Sequence, residues 1–174
     1  FSLYMKLLEE TITSIREGKT PKLDDISNQS CEIKLNIAAL IPDSYLNDPH
    51  NRLLLYKRIS NASSDQELSE LKIEMINRFG LLTPEINQLF SVTTIKLRAI
   101  QLGIKKLSSS ARSLNASFSN SIPFDAVKLI ELVQKEPTRY QFKGSQQISV
   151  HINAESPEER VSAAEDFLST LEAL

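Results

Sequence analysis

The stretch Ser64-Asp65-Gln66-Glu67-Leu68-Ser69-Glu70-Leu71-Lys72-Ile73-Glu74-Met75-Ile76-Asn77-Arg78-Phe79-Gly80 carries a helix-starting signal at one end and a helix-stopping one at the other. Ser64 with Glu67 three residues on is a capping-box pattern: the serine oxygen takes a free amide and the glutamate reaches back to the cap. Gly80 supplies the stop. Wound at about 100° per residue, Leu68, Leu71, Met75 and Phe79 fall on one stripe, the expected core side of a helix over Gln66–Phe79. Glu67, Glu70, Glu74, Asn77 and Arg78 fall together on a flanking face about 100° wide, with Ile73 on its far border.

That second face has two readings. As a solvated helix surface it is partly self-consistent, because Glu74 and Arg78 form a favourable i,i+4 pair of roughly 0.3–0.5 kcal/mol. Glu70 and Glu74, however, repel by a similar amount, and Lys72 lies too far round to relieve them. An acidic strip ending in an arginine, beside an exposed Ile73, is also a patch suited to a basic partner.

Working outward, two more helices carry boundary signals. Thr83-Pro84-Glu85 opens one over Pro84–Leu102, with proline at the first helical position where its missing N–H costs nothing. Ser156-Pro157-Glu158-Glu159 is a second capping box, opening a helix through Leu171. Asn51–Ala62 and Phe124–Lys135 complete the set, after a loop through Pro42 and Pro49. Short strands are expected at Cys31–Ile37, Ile104–Leu107 and Ser113–Phe118. Arg139–Phe142 and Gln147–Ile152 flank Lys143-Gly144-Ser145 as a β-hairpin. The fold class that follows is α+β: a small mixed or antiparallel sheet covered by several helices. An N-terminal helix over Leu3–Glu17, stopped by Gly18, and a polar linker to Ser30 precede it. Residues 1–30 are therefore expected to be a linker segment and residues 31–174 the domain.

Composition narrows the function. The chain has 174 residues, 41% hydrophobic and 24% charged, with formal net charge −2, which argues against a dedicated nucleic-acid surface. No apolar run approaches the roughly 20 residues of a membrane span. Cys31, the single cysteine, excludes an internal disulfide and a multi-cysteine zinc site, and in a strand it is expected to be a buried free thiol. A reducing cytoplasm suits it. The chain opens at Phe1 inside a predicted helix, the pattern expected of a piece of a longer protein.

Catalytic constellations are not found. Gly18, Gly80 and Gly103 each follow a predicted helix and Gly144 sits in the hairpin turn, so none forms a loop that cradles phosphate. His50 lies in a proline-bounded loop, and His151 alternates away from Val150 and Ile152. No serine sits in a nucleophile-elbow pattern. Neither a catalytic residue, a cofactor site nor a metal site is expected in these residues. Lys105, Lys106 and Arg112 form a modest basic cluster, and an accessory nucleic-acid contact through them is the alternative reading.

Asn51 to Phe90 also resembles the C-terminal domain of the bacterial transcription-repair coupling factors (Mfd). The family pattern runs Arg-Leu, Tyr-Lys-Arg, Glu-Leu, Asp-Arg-Phe-Gly and Pro. Here these are Arg52-Leu53, Tyr56-Lys57-Arg58, Glu67-Leu68, Asn77-Arg78-Phe79-Gly80 and Pro84. Ile41-Pro-Asp-Ser-Tyr-Leu-Asn-Asp48 matches the preceding segment, and Phe1–Glu10 resembles the last helix of the family's translocation module. The likeness is strongest from Ile41 to Gly103 and weak from Ser108 to Ile122.

The resemblance implies a parent that is an ATP-driven DNA translocase of the bacterial cytoplasm, using ATP and magnesium in a motor outside these residues. Such a parent binds double-stranded DNA, displaces stalled RNA polymerase and recruits excision repair through UvrA. Its C-terminal domain docks on the UvrB-like module of the same chain, masks the UvrA-binding surface and restrains the motor. The resemblance places that contact on Glu74, Asn77 and Arg78, and helix geometry extends it to Glu67 and Glu70. The family's aspartate is Asn77 here, which keeps an acceptor and removes a charge. The isolated chain is expected to be a monomer without enzymatic activity.

Overall fold

The computed structural model describes residues 31–174. The N-terminal helix and linker expected over residues 1–30 lie outside the described residues. The described chain divides into two compact units, one of residues 41–86 and one of residues 31–40 with 87–174.

The helical unit is built from α1 (Pro49–Asn61) and α2 (Asp65–Phe79). It also takes in the start of α3 (Pro84–Gln101). Helix α1 begins two residues earlier than the apolar pattern indicated. Asp48 caps it, accepting from the His50 amide at 3.0 Å, and Pro49 is its first residue. Pro49 was expected in the loop, yet it obeys the rule that proline suits a first helical position. His50 is accordingly an exposed first-turn residue rather than a loop residue.

Ser64 caps α2 as expected, accepting from the Glu67 amide at 3.2 Å. Glu67 reaches one residue further back, however, and accepts from the amide and hydroxyl of Ser63 at 2.9 and 3.0 Å. Leu68, Leu71 and Met75 are buried along α2, as the periodicity predicts. Phe79 departs from it: the ring is half-buried, edge-on to Tyr45 at 6.1 Å, with the Arg78 guanidinium 4.8 Å from its centroid. One turn further along the stripe, the core has ended. Gly80 stops the helix at φ 98°, ψ −172°, a region essentially restricted to glycine. The hydroxyl of Tyr45 lies 3.1 Å from the Met75 carbonyl and 2.9 Å from that of Gly80. Of these two acceptors, the Gly80 carbonyl is one that the helix terminus leaves open.

The other unit carries a five-stranded mixed sheet in the order β1-β2-β3-β5-β4. Its strands are β1 (Glu32–Lys34), β2 (Ile104–Ser109), β3 (Ser113–Phe118), β4 (Tyr140–Phe142) and β5 (Gln147–His151). β1 pairs parallel to β2 and the remaining neighbours are antiparallel. β1 is shorter than the expected Cys31–Ile37. Asn36 takes φ 55° and donates to the Ser109 carbonyl at 2.7 Å, which turns the chain out of the ladder. Cys31 is buried as expected, and burial pushes its thiol up to about 11.

One face of this sheet, with Leu107, Leu114, Ala116, Ile148, Val150 and Tyr140, is buried in a single apolar cluster. The cluster also holds Ile95 and Ala99 of α3, Leu129 of α4 (Ala126–Lys135), and Phe167, Leu168 and Leu171 of α5 (Pro157–Glu172). Ser156 and Glu159 complete the capping box that starts α5. The opposite face presents Ser108, Asn115, Ser117, Ser149 and His151, none of them buried. The α+β class with a mixed sheet therefore holds.

Candidate functional site

Helical winding separates the five residues of the candidate face into two groups, and the contacts agree. Glu67, Glu74 and Arg78 lie on the flank of α2 that meets α1. Glu70 and Asn77 lie further round, beside Ile73, which is 60% exposed. Ile76 follows at i,i+3 from Ile73 and is also exposed.

Glu74 is the hub. Its two oxygens accept from Arg58 of α1 at 2.8 and 2.6 Å, a bidentate pair, and Oε1 also accepts from Arg78 at 3.1 Å. The Arg58 hydrogen bonds first, then Arg78, hold the Glu74 carboxyl down at about 2, below its ordinary 4.5. The i,i+4 pair read from sequence is present, and Arg58 is the partner that sequence missed. A fork-shaped guanidinium on a carboxylate fixes both distance and orientation, so Glu74 ties α1 to α2 as well as lining the surface.

The other residues are engaged differently. Glu67 holds Ser63, as described above. Glu70 accepts from the Gln66 side chain at 3.2 Å. Asn77 is exposed in the last turn.

The alternative basic cluster is not assembled. Lys105 and Lys106 stand at the start of β2, and Lys106 is 3.9 Å from Glu32. Arg112 sits in the turn at the far end of that strand, where the Ser110 amide donates to the Ser113 carbonyl at 2.8 Å. Several residues of strand separate them, at about 3.3 Å per residue. Among the described residues no group of His, Cys, Asp and Glu is arranged to hold a metal ion. No helix among them is long and apolar enough to cross a membrane.

A helix-covered mixed sheet together with a helical unit tied by an Arg–Glu–Arg cluster defines an α+β domain of specific pattern. The family model described as the TRCF domain matches residues 35–129. The chain belongs to this family, that of the transcription-repair coupling factors. It is 36% identical over 173 residues to the transcription-repair-coupling factor of Haemophilus influenzae, and 33% identical over 172 residues to that of Escherichia coli. Both alignments cover 99% of this chain and 15% of the relative, so the chain spans about 15% of the length of these relatives. Its fold is similar to the crystal structure of the C-terminal domain of a transcription-repair coupling factor. The TM-score is 0.65 at 17% identity, over 83% of this chain and 92% of that one.

Proposed function

We propose that residues 31–174 are the non-catalytic regulatory domain of a transcription-repair coupling factor, joined by residues 1–30 to its translocation module. α2 docks the domain on the UvrB-like module of the same parent chain, masking the UvrA-binding surface and restraining the ATP-driven motor. The parent is a bacterial, cytoplasmic DNA translocase that uses ATP and magnesium to displace RNA polymerase. The observation that carries this reading is the outward face of α2. Ile73 and Ile76 stand exposed beside Glu70 and Asn77, and Arg78 lies beyond these towards α1. An apolar centre with a mixed-charge rim is the anatomy of a protein–protein contact.

The test is a pair of opposite changes at one exposed position in the full-length parent. Asn77→Arg should raise UvrA binding and ATPase activity together, because like charges across an interface cost free energy. Asn77→Asp, which restores the family's charge, should lower both. Glu131→Arg on α4 should leave both unchanged. If neither Asn77 change moves either activity while both variants fold, the face is a solvated helix surface and the docking reading fails.

A further inference from the structure

The sheet has two edge strands, β1 and β4, each three residues long. An edge strand that must stay unpaired is commonly guarded by charged side chains. β1 is guarded in this way: Glu32 and Lys34 are both exposed and lie 3.2 Å from each other. β4 is not. It runs Tyr140-Gln141-Phe142, with Gln141 exposed and Phe142 41% exposed. The nearest charges in sequence, Arg139 and Lys143, stand outside the strand.

The backbone of β4 also faces outward. The His151 amide donates to the Arg139 carbonyl at 2.7 Å, and the Lys143 amide to the Gln147 carbonyl at 2.8 Å. Bonded and non-bonded pairs alternate along an antiparallel ladder. With Phe142 opposite Ile148, the Phe142 N–H and C=O therefore point away from β5, to the edge. The Tyr140 carbonyl points the same way, whereas its N–H is taken by the Glu136 carbonyl at 3.0 Å.

Beside Phe142 opens a groove of about 540 Å³. Leu129 and Ile130 of α4, with Phe118 and Ile122, wall it, and none of its lining residues is charged. Ile130 is 45% exposed, and Val127, one turn earlier, is 60% exposed. Side chains directly opposite each other on paired strands share a face. A strand laid along β4 would therefore bring the side chain opposite Phe142 to the face that carries this groove. Outward main-chain groups select extended backbone, and an uncharged apolar wall selects a large apolar side chain. We propose that β4 and α4 take an extended, uncharged segment of a protein partner as a sixth strand, with one apolar side chain seated against Phe142 and Ile130. In this mode main-chain bonds give affinity and the pocket gives choice. The contact lies on the sheet-bearing unit and is independent of the docking reading of α2.

The test is NMR of the full chain titrated with blocked, uncharged Ser/Thr peptides carrying a central Phe, Leu, Ile or Val. At least one should bind. With free peptide at about ten times its Kd, hydrogen exchange at the Phe142 amide should slow about tenfold, because only unoccupied chain exchanges. The Lys143 and His151 amides, already bonded across the ladder, should keep their rates. N-methylating alternate amides along one edge of the peptide should abolish binding, and along its other edge should leave binding intact. Ile130→Asn should weaken binding about tenfold, equivalent to about 1.4 kcal/mol, with little change in melting, and Glu131→Gln should bind as the parent does. Binding by none of the peptides, loss from both methylated forms, or an unprotected Phe142 amide in the complex would overturn the added strand. Protection at Phe142 that appears without peptide and grows with chain concentration would mean that a second copy fills the edge, and would overturn the partner.

Discussion

The two units of this protein balance burial and charge differently. The sheet-bearing unit is tied mainly by a large dry core, with the Arg98–Glu172 pair beside it. Leu107, Leu114, Ala116, Ile148, Leu168 and Leu171 are fully buried, and the strand registers place them on one face. The helical unit has a smaller dry core, with Ile41, Leu55, Ile59, Leu68, Leu71, Met75 and Ile86, and adds a half-exposed Arg–Glu–Arg cluster that ties α2 to α1. Burial is insensitive to salt and pH, whereas exposed ion pairs are screened and titrate. The difference separates a scaffold from a surface whose geometry depends on charge.

Substitutions can break that contrast at points of decreasing cost. Phe167, buried against the sheet unit's core, should lose about 3–5 kcal/mol on replacement by alanine, measured by denaturant unfolding. Phe79 looks equivalent by helical phase but is half-buried against Tyr45. Phe79→Ala should cost less, about 1–2 kcal/mol from partial burial and the edge-on aromatic contact. Equal losses at the two positions would mean that the helical unit has a core as dry as the other.

A smaller effect is expected from Glu74→Gln, and its sign depends on pH. The Glu74 carboxyl is depressed to about 2 in the folded chain from about 4.5. Its contribution to stability is therefore complete above about 4.5 and is lost as pH falls towards 2. The parent should melt higher than Glu74→Gln at neutral pH, by a margin that shrinks with added salt and closes as the pH approaches 2. A margin independent of pH would show that the carboxylate is not held by Arg58 and Arg78.

Much of the fold was legible because its boundaries are written locally. Ser64, Thr83-Pro84 and Ser156-Pro157 start helices by side-chain capping or by proline geometry, and each was readable within four residues. The hairpin around Gly144 was legible for the same reason. What sequence missed was non-local. Arg58 meets Glu74 across 16 residues of chain and Tyr45 reaches Gly80 across 35, distances at which a helical wheel says nothing. The early end of β1 depends on Asn36 taking a positive φ, a state that an isolated Asn does not announce. The face of α2 was identified correctly in phase, but which of its carboxylates are tied required the neighbouring helix. Tyr56-Lys57-Arg58 was visible as a family pattern; its role as a tie became readable only when α1 was placed against α2.

On the docking reading the contact surface lies on the helical unit and not on the sheet unit. The direct measurement is NMR of the methyl-labelled chain titrated with the UvrB-like module. The sheet unit offers its own exposed apolar residues as a built-in comparison: Val127 and Ile130 on α4. Shifts and broadening should concentrate at Ile73 and Ile76, while Val127, Ile130 and the buried Ile148 remain in place. Perturbation centred on Val127 and Ile130, with Ile73 and Ile76 unmoved, would contradict the account.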